Sequence, residues 1–184
     1  YSLQKNKLKI ELTSHFFKIQ NALDFMIIRP IEKKDNAQIA QTIRTVLIEL
    51  NVPKVGTAYA DPHLDYLFET YDKPKSVYFV VENNNKIIGG AGVSQLENGD
   101  ETICELQKMY FLQEARGLGL GTQMIEKCLK SASHFGFKKC YLETMPNMVD
   151  AQKLYQKVGF EYLCEPLGNT GHNSCPVWMI KNLE

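Results

Sequence analysis

Three glycines at alternate positions, Gly117, Gly119 and Gly121, separate a β-rich run from an amphipathic helical run, and they constrain the fold more than any other feature. The run before them, Thr102 to Leu112, reads as a long strand. The run after them, to about Phe135, places Met124, Ile125, Cys128, Leu129 and Ala132 on one buried helical face. A strand that turns through such glycines into a helix frees backbone N–H groups to converge on an anion, and the helix N-terminus adds unsatisfied donors. Missing Cβ atoms let phosphate oxygens approach the backbone closely. No Lys-Ser/Thr pair follows the last glycine, which excludes a Walker A loop. The G-x-G-x-G spacing, two-thirds along the chain, also departs from the dinucleotide fingerprint. By itself the loop is equally compatible with a glycine-rich turn that holds nothing.

The rest of the chain supplies the frame. Met26 to Ile31 is a strand-like run; Asp35 to Leu50 has apolar residues at helical spacing, with Asp35 as N-cap and Pro53 as stop. A second short helix is expected over His63 to Tyr71. Val77 to Val81 and Ile87 to Gln95 read as strands joined by hairpin chemistry at Asn83-Asn84-Asn85-Lys86. Gly89, Gly90 and Gly92 within the second of these imply tight packing or a close backbone approach. After the glycine loop and its helix come a strand at Lys139 to Thr144, a helix at Val149 to Val158, and strands at Phe160 to Cys164 and Val177 to Ile180. The order β-α-α-β-β-β-α-β-α-β-β gives an α/β (α+β) chain, a mixed sheet of about seven strands flanked by helices.

Length and charge narrow the function. The 184 residues suit one domain, and 21 basic against 21 acidic residues leave no net field to hold a nucleic-acid backbone. No apolar run reaches the ~18–20 residues that a membrane span needs. Five cysteines, Cys104, Cys128, Cys140, Cys164 and Cys175, form no Cys-x-x-Cys or Cys/His cluster, so a reducing, cytoplasmic setting and no structural metal are expected. Four of them lie in apolar segments as small buried hydrophobes, whereas Cys175 lies among polar loop residues. Residues 1–25 lack the features of a signal peptide and read as an extension outside a core of 26–184.

The stretch from Glu105 to Gly121 resembles motif A of the GCN5-related N-acetyltransferases, with Arg116, Gly119 and Gly121 filling its R-x-x-G-x-G core. Ala151-Gln152-Lys153-Leu154-Tyr155-Gln156-Lys157-Val158-Gly159-Phe160 is similar to motif B of the same family. The order of elements from Met26 onward is also similar to that family's, so the resemblance covers nearly the whole chain. It implies acetyl-CoA as cosubstrate and direct acetyl transfer to a primary amine.

Residue by residue, the resemblance implies that Met109, Tyr110 and Phe111 lend backbone groups to the acetyl-pantetheine arm. Gly117, Leu118, Gly119, Leu120, Gly121 and Thr122 would hold the pyrophosphate, with Arg116 at the loop entrance. Tyr155 matches the usual general acid. Two carboxylates compete as base: Glu143, twelve residues before Tyr155, and Glu105 on the motif A strand. Strand alternation puts Glu105, Gln107, Met109 and Phe111 on one face. Where the family often carries Asn, this chain has Met148, and Asn147 is the candidate substitute.

The acceptor is expected against residues 55–71 and 167–176, which offer Tyr59, Asp61, His63, Asp65 and Tyr66 on one side. The other side offers Asn169, Thr170, His172, Asn173 and Cys175. Such a mixture suits a small polar amine, and His172 is a further candidate base. A protein α-amine or lysine acceptor and a non-catalytic acyl-CoA sensor are the alternatives. The resemblance also allows a homodimer through the C-terminal strands.

Overall fold

One seven-stranded sheet, in the order β1-β2-β3-β4-β5-β7-β6, organises the chain. The computed structural model describes residues 26–55, 57–170 and 175–183. The extension 1–25 and the candidates His172 and Asn173 lie outside the described residues. The strands are β1 (Met26–Pro30), β2 (Val77–Asn83), β3 (Lys86–Gln95), β4 (Ile103–Phe111), β5 (Lys139–Thr144), β6 (Glu161–Tyr162) and β7 (Val177–Asn182). The helices are α1 (Asn36–Glu49), α2 (Leu67–Tyr71), α3 (Leu120–His134) and α4 (Val149–Lys157). All neighbours pair antiparallel except β4 and β5, which run parallel.

Each face of the sheet buries its own core. On one, α3 inserts Met124, Ile125 and Cys128 against Phe79, Val81, Cys104 and Leu142. On the other, α1 packs Ile39, Ile43 and Leu47 over Tyr78, Val80 and Ile87. Alternation along β2 assigns Phe79 and Val81 to the first core and Tyr78 and Val80 to the second. The β2–β3 hairpin closes through Asn84 and Asn85, both at positive φ (49° and 66°), as a two-residue turn requires.

Strand β4 breaks its own alternation. Gly90 pairs with Tyr110 and Gly92 with Gln107, so Ala91 alone opposes both Lys108 and Met109. This is a β-bulge, and Lys108 sits in it at φ 51°. Cys104 and Leu106 therefore share a core with Met109 and Phe111, while Tyr110 faces the opposite core. The expectation that Glu105, Gln107, Met109 and Phe111 share a face fails for this reason. Glu105 and Gln107 keep to the α1 side, and Met109 and Phe111 cross to the α3 side.

The glycines of β3 make room for aromatic rings around the bulge. A Cβ on Gly90 would lie 2.7 Å from the Tyr78 ring, and one on Gly92 would lie 2.6 Å from Tyr78 and 2.7 Å from Tyr71. One on Gly89 would collide with the ring of Phe111 on the other face. The rings of Tyr71 and Tyr78 meet at a tilt of 53°, with centroids 5.1 Å apart.

Other expectations are corrected locally. Asp35 precedes α1, but its carboxylate accepts from Arg29 and from the Glu32 N–H and makes no cap bond to the helix. His63 to Tyr71 divides into a 3₁₀ turn at Leu64–Tyr66 and the five residues of α2. The strand expected over Phe160 to Cys164 shrinks to Glu161–Tyr162, and Cys164 is exposed. Cys104, Cys128 and Cys140 are buried, as expected.

Replacing Gly90 with Ala is expected to cost about 1–3 kcal/mol, because the new methyl meets both the Phe79 carbonyl and the Tyr78 ring. Urea unfolding monitored by circular dichroism checks the value; an unchanged midpoint would show that the rings do not need the gap.

Candidate active site

Strands β4 and β5 pair only from Ile103 to Glu105 and then diverge. Beyond the divergence lies a cleft of about 540 Å³, lined by Met109, Tyr110 and Phe111 on one wall. The rest is formed by Arg116, Gly117, Gly119, Gly121 and Thr122 of the glycine loop, by Asn147 and Tyr155 before and within α4, and by Val46 and Leu50 at the end of α1. The loop takes this shape because Gly117 and Gly119 adopt φ 74° and 78°, which side-chain-bearing residues resist. A Cβ at either would meet nothing within 4 Å. Packing therefore does not demand these glycines; the turn does, and the space beside them is open to a ligand. Gly119 is the residue before α3, so the helix's unsatisfied N–H groups face that space. This open, donor-lined space fits a pyrophosphate. Leu118 and Leu120 turn their side chains into the core, leaving only their backbone for a ligand.

Arg116 and Asn147 both reach the C-terminal end of α1. Arg116 donates from Nε to the Phe111 carbonyl at 2.9 Å and from both terminal nitrogens to Glu49 at 2.6 and 3.0 Å. Asn147 donates to the Leu50 carbonyl at 3.0 Å. Sequence reasoning placed both residues at the cleft but missed Glu49, Val46 and Leu50, which come from a helix remote in sequence. Nothing in the spacing of α1 distinguishes its last turn from the rest of an amphipathic helix.

Tyr155 is 7% exposed, lines the cleft, and packs edge-on against Phe160. Its hydroxyl has no hydrogen-bond partner among the described residues, and burial raises its pKa well above that of free tyrosine. The phenol is therefore fully protonated at neutral pH and available as a donor.

The two carboxylates lie on the other side of β4. Glu105 is 2% exposed, and burial lifts its pKa to about 7, against the hydrogen bond from Gln107 and with help from the Glu143 charge. Gln107 donates to Glu105 at 2.7 Å while accepting from the Tyr71 hydroxyl at 2.7 Å. Glu143 is half-buried; burial raises its pKa too, opposed by hydrogen bonds from Tyr141 and Thr170. Neither carboxylate is among the described residues that line this cleft. Each sits one residue behind the wall of a second cavity of about 1050 Å³, reached through Gln107 and Thr170 respectively.

That second cavity takes Asp61, His63 and Tyr66 from the segment expected to meet the acceptor. Lys108, projected by the bulge, pairs with Asp61 at 2.7 Å with both side chains largely buried. Asp65 instead pairs with Arg44, and Tyr59 packs against the α1 core under Lys54. Cys175 is partly buried, and burial lifts its thiol to about 11, too high for a thiolate nucleophile at neutral pH. No group of metal-ligating side chains occurs among the described residues.

Replacing Gly119 with Ala is expected to weaken acetyl-CoA binding at least tenfold, because the methyl enters the open cradle from a strained backbone. Titration calorimetry reads this directly; unchanged affinity would remove the loop from the site.

Comparisons with known proteins agree with this geometry. The family model described as "Acetyltransferase (GNAT) family" matches residues 44–160. An uncharacterized N-acetyltransferase of Escherichia coli, YjgM, is 40% identical over 158 residues, covering 85% of this chain and 95% of its own. An uncharacterized N-acetyltransferase of Schizosaccharomyces pombe is 25% identical over 74% of this chain and 78% of its own. Among solved structures, a GNAT-family acetyltransferase from Staphylococcus aureus superposes with a TM-score of 0.77 at 20% identity, over 86% of this chain and 99% of that one. The yncA acetyltransferase of Salmonella typhimurium, solved with acetyl-CoA, superposes at 0.70 and 18% identity, over 87% and 95%. With both motifs matched and their residues gathered at one cleft, the chain belongs to the GNAT family of N-acetyltransferases and is an acyltransferase.

Proposed function

We propose that the enzyme moves the acetyl group of acetyl-CoA directly to the primary amine of a small polar molecule. The observation that carries this reading is the pair of cavities that border the β4 bulge, one reached by Met109 and the other by Lys108. One is narrow and glycine-lined, the other wide and polar, and Met109 and Lys108 stand back to back between them. The mixed lining of the wide cavity, with Asp61, His63, Lys108 and Thr170, suits hydrogen-bonded recognition of a small polar acceptor. The yncA structure's bound acetyl-CoA supports the assignment of the narrow cleft to that cosubstrate.

In this reading Glu105 is the base. The amine of the acceptor loses its proton through one water to Glu105, since the carboxylate stands behind Gln107 and does not reach the cavity itself. The freed nitrogen lone pair attacks the thioester carbon, and the carbonyl π pair moves onto oxygen, to which a backbone N–H within 109–111 donates a hydrogen bond. The oxygen pair then re-forms the carbonyl as the C–S bond breaks. The departing sulfur takes the Tyr155 proton, and the proton that the attacking nitrogen still carries beyond the amide's one returns to the Tyr155 phenolate. Glu143 acts on Glu105 through its charge, which helps to hold the base near neutrality. Five free thiols support a reducing, cytoplasmic setting.

A thiol-release assay with acetyl-CoA against polyamines, amino acids, amino sugars, aminoglycosides and short peptides tests the substrate class. Turnover on a small amine is expected, and turnover confined to peptides would replace this reading with a protein acetyltransferase. Because Glu105 must be ionised to accept a proton, kcat/KM should rise with pH through about 7. Glu105→Gln should remove that limb and lower kcat/KM at least tenfold, and Tyr155→Phe should lower kcat. If Glu143→Gln abolishes the limb instead and Glu105→Gln keeps it, the base is Glu143.

A further inference from the structure

Tyr78 takes no part in the chemistry above, yet it is among the most deeply buried side chains, 1% exposed. Its ring crosses β3 over the gap left by Gly90 and Gly92. On the far side its hydroxyl donates to the Lys108 carbonyl at 2.8 Å. Tyr71, packed against it at a tilt, donates its own hydroxyl to the neighbouring Gln107 side chain. Two phenols thus hold consecutive residues of β4, one by its backbone and one by its side chain.

The carbonyl that Tyr78 holds belongs to the bulge residue. The Lys108–Met109 peptide is trans, so its C=O and N–H point in opposite directions. With the carbonyl turned back toward β3, the Met109 N–H turns toward the edge of β4 that β5 leaves open beyond Glu105. Met109 lines the narrow cleft there. A bulge lacks the regular ladder bonds that fix a strand, and Lys108 adopts a positive φ that strains it. The orientation of this one peptide therefore depends on what grips its oxygen.

We propose that Tyr78 is a positioning residue for acetyl transfer. By holding the Lys108 carbonyl across β3, it aims the Met109 N–H into the cleft at the oxygen that becomes negative as the amine attacks. The inference rests on the reading that the thioester lies against residues 109–111. Tyr78 itself neither gives nor takes a proton, and it touches no substrate. Preorganised donors of this kind are worth about 10²–10³ in kcat, so a misaimed one shows in turnover more than in binding.

The test sets Tyr78→Phe beside Thr42→Val. Thr42 is also buried, and its hydroxyl makes the same kind of bond, to the Ile87 carbonyl at 2.8 Å, away from the bulge. Both variants should lose comparable melting temperature. Tyr78→Phe should lose at least tenfold in kcat with CoA affinity within twofold of wild type, whereas Thr42→Val should keep its kcat. Wild-type kcat in Tyr78→Phe, or equal kcat losses in both variants, overturns the proposal. If Tyr78→Phe does not fold, 4-aminophenylalanine at position 78, which keeps a para donor, must restore folding and kcat together. A folded amino variant at a tenth of wild-type kcat or less also overturns it. Gly119→Ala separates the two readings: if that variant binds acetyl-CoA normally, the cleft assignment fails and the proposal falls with it. If it loses binding while Tyr78→Phe turns over normally, only the role of Tyr78 fails.

Discussion

The site depends on one extra residue in β4. Inserting Lys108 and Met109 opposite Ala91 sends Glu105 and Gln107 to one face and Met109 and Phe111 to the other. Without that slip, the carboxylate and the residues of the narrow cleft would lie on the same side of the sheet. The bulge lets one strand serve both cavities, with Met109 facing the glycine loop and Lys108 facing Asp61. The parallel β4–β5 pair makes its own contribution: because it ends at Glu105, the strand is left uncovered just where the bulge begins.

A bulge is a weak point in a sheet, and the surrounding sequence compensates for it. Gly89, Gly90 and Gly92 remove side chains from β3 so that Phe111 can close one face and Tyr78 and Tyr71 the other. Three glycines in a central strand cost backbone entropy and packing. The aromatic rings that fill the space recover buried area and add the hydroxyl that satisfies the Lys108 carbonyl. Strand β3, otherwise a poor strand by composition, is thus explained by what happens on its neighbour.

Much of the frame was legible in the sequence. The glycine loop, the Asn-Asn hairpin and the amphipathic face of α3 are local signals, carried by residues within a few positions of one another. The bulge was not legible, because Lys108 has no turn-forming chemistry and the bond to its carbonyl comes from Tyr78 on another strand. The same applies to Asp35, whose preference for a cap was overridden by Arg29 reaching across from β1. Glu49 was invisible for a related reason: its partner Arg116 is 67 residues away, and pairing at that range leaves no periodic trace. In each case the deciding partner sits on a different element, from six residues away for Asp35 to 67 for Glu49, and the helical or strand period of either element does not encode it.

The two ion pairs that border the site differ in what it takes to break them. Lys108 and Asp61 are 7% and 16% exposed, so separating them strands charge in a low-dielectric wall, a cost of about 3–5 kcal/mol when one partner is removed. Arg116 and Glu49 are 36% and 43% exposed, and a pair so wetted is worth about 0–1 kcal/mol. A phosphate entering the glycine cradle therefore meets an arginine whose present partner can be exchanged at little cost. The Arg116 Nε bond to the Phe111 carbonyl anchors the side chain beside the cleft and can persist through that exchange. The pair at the bulge is fixed, and the pair at the cofactor rim is replaceable. That division suits an enzyme that must load and release a large anionic cosubstrate in every cycle while its reacting groups stay in register.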